Sequence, residues 1–171
     1  NITLTSLTED KGDLGTINGF TDVILSTANI TVTDNVNKTE ADAIDAYNKT
    51  SGVVTLTSIT DTVLNVTAVE NNTNISLDTS TITVTDAASL NDANAINNFT
   101  TAQVTLNSVE DTYSNIQDIK KIDDALVNMG AASVKVSDNV TKTEVDDLRT
   151  DTTGNITLTS LTEDKGDLGT I

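Results

Sequence analysis

Self-similarity constrains this chain more than any single residue in it. The phrase ITLTS at 2–6 returns as VTLTS at 54–58, VTLNS at 104–108 and ITLTS at 156–160, at spacings of 52, 50 and 52. A second phrase, ITVTD at 30–34, returns as ITVTD at 82–86 and VKVSD at 134–138, each 52 residues on. The two phrases alternate, so one turn of the pattern takes about 26 residues, a size typical of solenoid repeats. The first 17 residues, Asn1–Ile17, recur unchanged as Asn155–Ile171. The chain therefore reads as double repeats over about 2–53, 54–103 and 104–155, with a partial repeat at 156–171.

Each phrase alternates apolar and polar residues, the period of a strand with one buried face. The expected inward pairs are Ile2/Leu4, Ile30/Val32, Val54/Leu56, Ile82/Val84, Val104/Leu106, Val134/Val136 and Ile156/Leu158. Between strands the spacing changes to that of a short helix: Ala41/Ile44/Tyr47, Ala93/Ile96/Phe99, Val145/Leu148, Leu14/Ile17, Val66/Val69 and Ile116/Ile119. Thr39 with Asp42 and Thr143 with Asp146 resemble capping boxes. Gly52, Gly130 and Gly154 fall in turns leading back to a strand. Gly12, Gly15 and Gly19 make the segment after Thr8 the weakest helix, or an irregular turn. These signals predict an α/β solenoid with a parallel sheet on one side and short helices on the other. At about 4.8 Å per strand, the step between the identical ends spans roughly 29 Å.

Composition supports a thin aliphatic core. Only Phe20, Tyr47, Phe99 and Tyr113 are aromatic, and there is no Cys, His, Pro or Trp. That removes disulfides, thiolate metal sites and the commonest general base. A net charge of −17 opposes binding to nucleic acid or anionic lipid. No apolar stretch approaches the roughly 18 residues that span a bilayer, so no membrane insertion is expected. The chain begins at Asn1 with no visible signal peptide, and both ends read as interior, uncapped repeats. The expectation is therefore a piece of a longer array, its partners being further copies of the repeat in the same chain or head to tail.

The alternating ITVTD…DANAI and VTLTS…TDT pattern, clearest at Ile82–Thr100 and Val53–Val69, resembles the repeats of very large secreted or cell-surface bacterial proteins, marine cyanobacterial ones among them. The resemblance implies a long extracellular array in adhesion, surface layers or motility. The Gly-rich Lys11–Gly19 segment and Lys135 depart from the pattern.

Four features are candidate sites. Outward strand positions form two expected columns: Thr3, Thr31, Thr55, Thr83, Thr105, Lys135, Thr157, and Thr5, Thr33, Thr57, Thr85, Asn107, Ser137, Thr159. Such a ladder suits a strand face kept polar, and is similar to the T-x-T arrays of ice-binding solenoids. Ten N-x-S/T sequons are glycosylation candidates, at Asn1, Asn29, Asn37, Asn48, Asn65, Asn71, Asn74, Asn98, Asn139 and Asn155. Glu9, Asp10 and Asp13, repeated at Glu163, Asp164 and Asp167, are weak calcium ligands, and calcium is the one candidate cofactor. Asp34, Asp86 and Asp138 end every second strand, as Asx-turns or helix caps would. The adjacent acids Glu9–Asp10 and Asp146–Asp147 are the nearest approach to a catalytic carboxylate pair, and no enzyme is expected. The sequence points to a structural segment of an extracellular fibre or cell-surface protein. The alternative is a surface-binding module using the Thr ladder on ice, glycan or another adhesion target.

Overall fold

The computed structural model describes residues 1–48, 52–122 and 127–162; the expectations for Glu163, Asp164, Asp167 and Ile171 lie outside them. The chain is α/β, and the strand pairings described below are all parallel. It divides into two compact units, residues 1–82 with 99–102, and residues 83–98 with 103–171. The first unit contains β1 (Ile2–Thr3), β2 (Ser6–Glu9), α1 (Lys11–Asn18), β3 (Val23–Ile24), β4 (Asn29–Val36), α2 (Lys38–Asp45), β5 (Val54–Asp61), α3 (Val63–Glu70) and β6 (Ile75–Ser76). β7 (Thr81–Ala88) starts there and continues into the second unit. That unit carries α4 (Leu90–Asn97), β8 (Val104–Asp111), α5 (Tyr113–Ile119), β9 (Val127–Asn128), β10 (Ser133–Val140), α6 (Lys142–Asp151) and β11 (Ile156–Leu161).

Period-2 alternation builds the strands, and a fixed break in it distinguishes their two types. In the VTLTS type the buried residues are Val54, Leu56 and Ile59, and Val104, Leu106 and Val109. In the ITVTD type they are Ile30, Val32 and Val36, then Ile82, Val84 and Ala88, then Val134, Val136 and Val140. The ITVTD type thus spends one more residue before its third inward side chain. Pairing absorbs the difference as a bulge: Val32 lies opposite Leu56, but the next partners are Asn35 and Ser58. β10 and β11 repeat this shift between Val136 and Asn139.

The next step along the chain pairs differently. Leu7, not Ile2, lies opposite Ile30, and Val109, not Val104, lies opposite Val134. β4 and β10 are therefore displaced along β2 and β8. The half of the neighbour left over pairs with a two-residue strand: β1 with β3, β5 with β6, β8 with β9. Leu25–Ala28, Leu77–Ser80 and Met129–Ala132 then turn the chain into the long strand, each closed by a backbone hydrogen bond of 2.8–2.9 Å. Leu25, Leu77 and Met129 are buried there, and so are Ala28, Ser80 and Ala132.

The helices bury one stripe each: Leu14; Ala41 and Ile44; Val66 and Val69; Ala93 and Ile96; Ile116 and Ile119; Val145 and Leu148. α2 packs on α1, α3 and β5, and α5 packs on α4, β8 and β10. Tyr47, Phe99 and Ile17, expected in these stripes, are only half-buried. Ile2 is 56% exposed, and Leu4, Ile156 and Leu158 are partly so, because their strands are flanked on one side only among the described residues.

Helix starts correct the sequence reading. The capping boxes are Asn37 with Glu40, Ser89 with Asp92 and Thr141 with Glu144, two residues earlier than Thr39/Asp42 and Thr143/Asp146. The reason is that Val36 and Val140 still belong to strands, so the next polar residue is the cap. Residues 11–18 form a helix despite Gly12 and Gly15, because Asp10 caps its N-terminus and Leu14 is fully buried. Gly52 is required by close approach: a Cβ there would lie 2.0 Å from the Ala28 carbonyl oxygen.

Candidate functional site

The outward strand face carries the expected threonines, but not in the expected columns. Thr3, Thr5, Thr33, Thr57, Thr85, Thr157 and Thr159 are exposed, while Thr31, Thr55, Thr83 and Thr105 are half-buried. Thr31 stands opposite Thr55, but the other neighbour of Thr55 is Ser76. Thr3 stands beside Ile24, Thr105 beside Asn128, and Lys135 between Thr157 and Glu110. The displacement at the β2–β4 and β8–β10 junctions breaks the columns there, so the threonines do not run on as one lattice across them. Equal spacing in sequence had suggested one because it says nothing about register.

Several of these side chains fasten strands together. The Thr57 hydroxyl donates to the Val32 carbonyl at 2.9 Å, across the bulge, and Thr159 donates to Val136 at 2.8 Å. Beside them, Ser58 and Thr60 donate to Asn35 Oδ1 at 2.8 and 3.2 Å. Ser160 donates to Asn139 Oδ1 at 2.7 Å, and the Asn139 amide reaches the Thr162 hydroxyl.

The strand-ending aspartates fasten helices. Asp34 accepts the backbone N–H of Lys11, the first residue of α1, at 3.0 Å. Asp138 accepts the N–H of Tyr113, the first residue of α5, at 2.8 Å. Asp61 and Asp111 do the same for Lys38 and Leu90, at 2.8 and 2.9 Å. In each case the strand that follows supplies an acceptor to the helix before it, where unpaired N–H groups and the helix dipole favour negative charge. Asp61 also accepts from the Thr62 N–H and the Asn65 amide, both at 2.8 Å, and Asp111 accepts from Thr112 and Asn115 at the same distances. Burial is the largest influence on both carboxyls and pushes them up. The helix N–H groups and Asn amides together outweigh it, leaving both below the usual carboxylate range.

A third set lies buried in the turns. Asn48, Thr100 and Thr152 donate to the Ala28, Ser80 and Ala132 carbonyls at 2.9, 2.7 and 2.6 Å. They accept in turn from the backbone of Gly52, Ala102 and Gly154. Ser80 donates to the Leu56 carbonyl. Sequence reasoning missed this set, although Leu25, Leu77 and Met129 recur at the same interval of 52 that gave the strands away.

These contacts redistribute the other candidates. Asn48, a sequon residue, is 3% exposed with both ends of its amide bonded, so folding hides it. Asn65 and Asn139 donate their amides to Asp61 and Thr162. Asn37 caps α2 through its oxygen, and Asn29 accepts from Val53. Asn1, Asn71, Asn74, Asn98 and Asn155 lie exposed. Of the calcium candidates, Asp10 accepts the Asp13 N–H at 2.8 Å as the cap of α1, while Glu9 is the last residue of β2. Among the described residues no three acidic side chains converge as a metal site would require.

Electrostatics and shape complete the picture. Each described cation pairs with an acid: Lys11 with Glu40, Lys38 with Asp42, Lys120 with Asp151, Lys121 with Asp118, Lys135 with Glu110, and Lys142 and Arg149 with Asp146. Asp147, the neighbour of Asp146, accepts from the Tyr113 hydroxyl; burial first, and that bond second, push Tyr113 up to about 12. Asp146 is thus occupied within its own helix and Asp147 with the neighbouring α5. A shallow groove of about 300 Å³ in the second unit is lined by Gln103, Lys120, Met129 and Asp151. Its carboxylate is held by Lys120, Gln117 and Thr150, a structural cluster joining the ends of α5 and α6. No described helix is long and apolar enough to cross a membrane. No protein family matches the chain, and no curated protein or solved structure is significantly similar to it.

Proposed function

We propose that this chain is a structural repeat segment of an extracellular fibre, filament or cell-surface protein. In this reading it is an α/β solenoid that elongates by continuous parallel sheet stacking. One observation carries the reading: its specialised polar residues recur along the chain and are consumed in fastening neighbouring strand–helix segments within each unit. Asp34, Asp61, Asp111 and Asp138 hold helix N-termini, Thr57 and Thr159 hold bulges, and Asn48, Thr100 and Thr152 hold turns. A catalytic or binding site gathers its chemistry in one place. Here the chemistry is spread at every repeat, as load transmission along one axis requires.

The acid excess keeps such an array soluble and apart from other polyanions. The exposed sequons at Asn71, Asn74 and Asn98 suit a surface that carries sugar outside the cell. Electron microscopy of the native object tests the proposal. Fibrils or rods with a repeat near roughly 29 Å are expected from the strand spacing. A compact monomer that shows thermal hysteresis in freezing water would overturn the fibre in favour of the Thr face. Changing Thr33 and Thr85 to Lys should leave the fibrils intact.

A further inference from the structure

We propose that Asn18 and Gly19, at the end of α1, are a self-modification site: the Gly19 nitrogen attacks the Asn18 side-chain amide, at a rate set by how often α1 opens. Water is the co-reactant, and no enzyme is needed.

Asn18 is the one asparagine in the chain that a glycine follows. After every other asparagine, a side chain on the next residue crowds its backbone nitrogen; Gly19 has none. In the reaction the Gly19 nitrogen bonds to Asn18 Cγ and closes a cyclic imide. The Cγ–Nδ2 bond breaks, and the amide leaves as ammonia with the proton that Gly19 gives up. Water then opens the ring at either carbonyl. The product is aspartate or isoaspartate, with a carboxylate where an amide stood.

The fold both exposes this pair and holds it back. Asn18 and Gly19 lie exposed, so water and base reach them. Asn18 is nonetheless the last residue of α1, and ring closure needs its ψ turned far from the helical value of about −42°. The Gly19 N–H, whose proton must leave, donates to the Gly15 and Thr16 carbonyls at 3.2 and 3.1 Å. Attack therefore waits for this end of α1 to open. Little secures it: Gly12 and Gly15 disfavour helix, the last turn carries no basic side chain, and Leu14 is the helix's one buried residue. The firm attachments are at the other end, where Asp10 caps the helix, Asp34 accepts the Lys11 N–H and the Lys11 ammonium meets Glu40. The product weakens α1 further. A carboxylate at a helix C-terminus is opposed by the dipole, and isoaspartate lengthens the backbone by a carbon. Each converted chain thus holds α1 less firmly, and refolding does not undo the change.

The test holds the full chain at mildly alkaline pH, folded or in urea, and follows conversion by mass spectrometry of proteolytic peptides. Asn18 should convert before every other asparagine in both states, and roughly ten-fold more slowly when folded. Gly15→Ala isolates the gate. A Cβ there meets the Tyr47 hydroxyl at an ordinary 3.7 Å, and alanine favours helix, so folded conversion should slow by about three- to five-fold. In urea the same variant should match the parent, because Asn18 and Gly19 are untouched. Another asparagine converting first overturns the site. Folded conversion of Gly15→Ala as fast as the parent's, or faster, overturns the gate, and so does a folded chain that never converts while the unfolded one does.

Discussion

The two kinds of strand junction in this chain use similar residues to opposite ends. Where an ITVTD-type strand meets the VTLTS-type strand after it, as β4 meets β5 and β10 meets β11, pairing runs from the first inward residue to the last. An extra residue is absorbed in a bulge that Thr57 or Thr159 and Asn35 or Asn139 hold in place. Where a VTLTS-type strand meets the next ITVTD-type strand, as β2 meets β4 and β8 meets β10, only four residue pairs align and the remainder finds a short strand. The first junction conserves position along the strand direction and the second shifts it. The repeat that matters physically is therefore the pair of junctions, about 52 residues, and a single 26-residue turn is only its average.

The largest predicted effect comes from erasing the bulge. Deleting Thr33 gives β4 the inward spacing of β5, so the two strands can align only without the bulge, and it pulls Asp34 and α2 one residue out of their packed positions. Lost burial and an unmatched helix N–H together should cost roughly 3–5 kcal/mol. Urea unfolding should show it as a lower midpoint, and a midpoint within error of the parent would mean the bulge does not set the register.

Next in size are the aspartates that end the VTLTS-type strands. Asp61→Ala strips an acceptor from the Lys38 and Thr62 N–H groups and the Asn65 amide, for about 1–3 kcal/mol. Asp34→Ala frees the Lys11 N–H and should cost less, about 0.5–1.5 kcal/mol. The same comparison has a pH dependence. Asp61 and Asp111 sit below their ordinary value in the folded chain, so their contribution is complete above about pH 4 and is lost as pH falls through the folded values. Protonation of the other acids meanwhile relieves repulsion, so the readout is a difference. A double variant, Asp61→Ala with Asp111→Ala, should lose less stability than the parent between pH 5 and 2 in the same urea titration.

The smallest effect sharpens the contrast from within. In the middle double repeat, Ala87 occupies the place of Asn35 and Asn139, which hold the β4–β5 and β10–β11 bulges, and Asn107 that of Thr57 and Thr159. Ala87→Asn combined with Asn107→Thr should install the missing bonds and raise stability by about 0.5–1 kcal/mol. No gain in a thermal melt would show that the polar clasp merely decorates the bulge.

Much of this was legible in the sequence. Alternation marked the inward residues Ile30, Val32, Val54 and Leu56, and a spacing of three marked Ile116 and Ile119. The α/β class followed from the change of period between them. What escaped has physical reasons. A two-residue strand such as Ile75–Ser76 is too short to alternate, so β3, β6 and β9 left no signature. The caps were placed too late because Val36 and Val140 lie beyond the bulge, out of phase with the strand before it. Register belongs to pairs of strands, so the Thr columns could not be checked from spacing along one chain. Glu9, Asp10 and Asp13 read equally as a cation loop or a helix start until the Asp13 N–H was seen to point at Asp10.

The helix clasps also give the chain a direction in time. Lys11 is bound by Asp34 and Lys38 by Asp61, each 23 residues later; Leu90 and Tyr113 wait 21 and 25 residues for theirs. A polypeptide delivered N-terminus first, from a ribosome or through a secretion channel, presents each helix before the residue that secures it. Each of these four helices therefore stays provisional until its following strand emerges. Growth of the folded length should trail delivery by one segment, like a zip whose slider follows the hand.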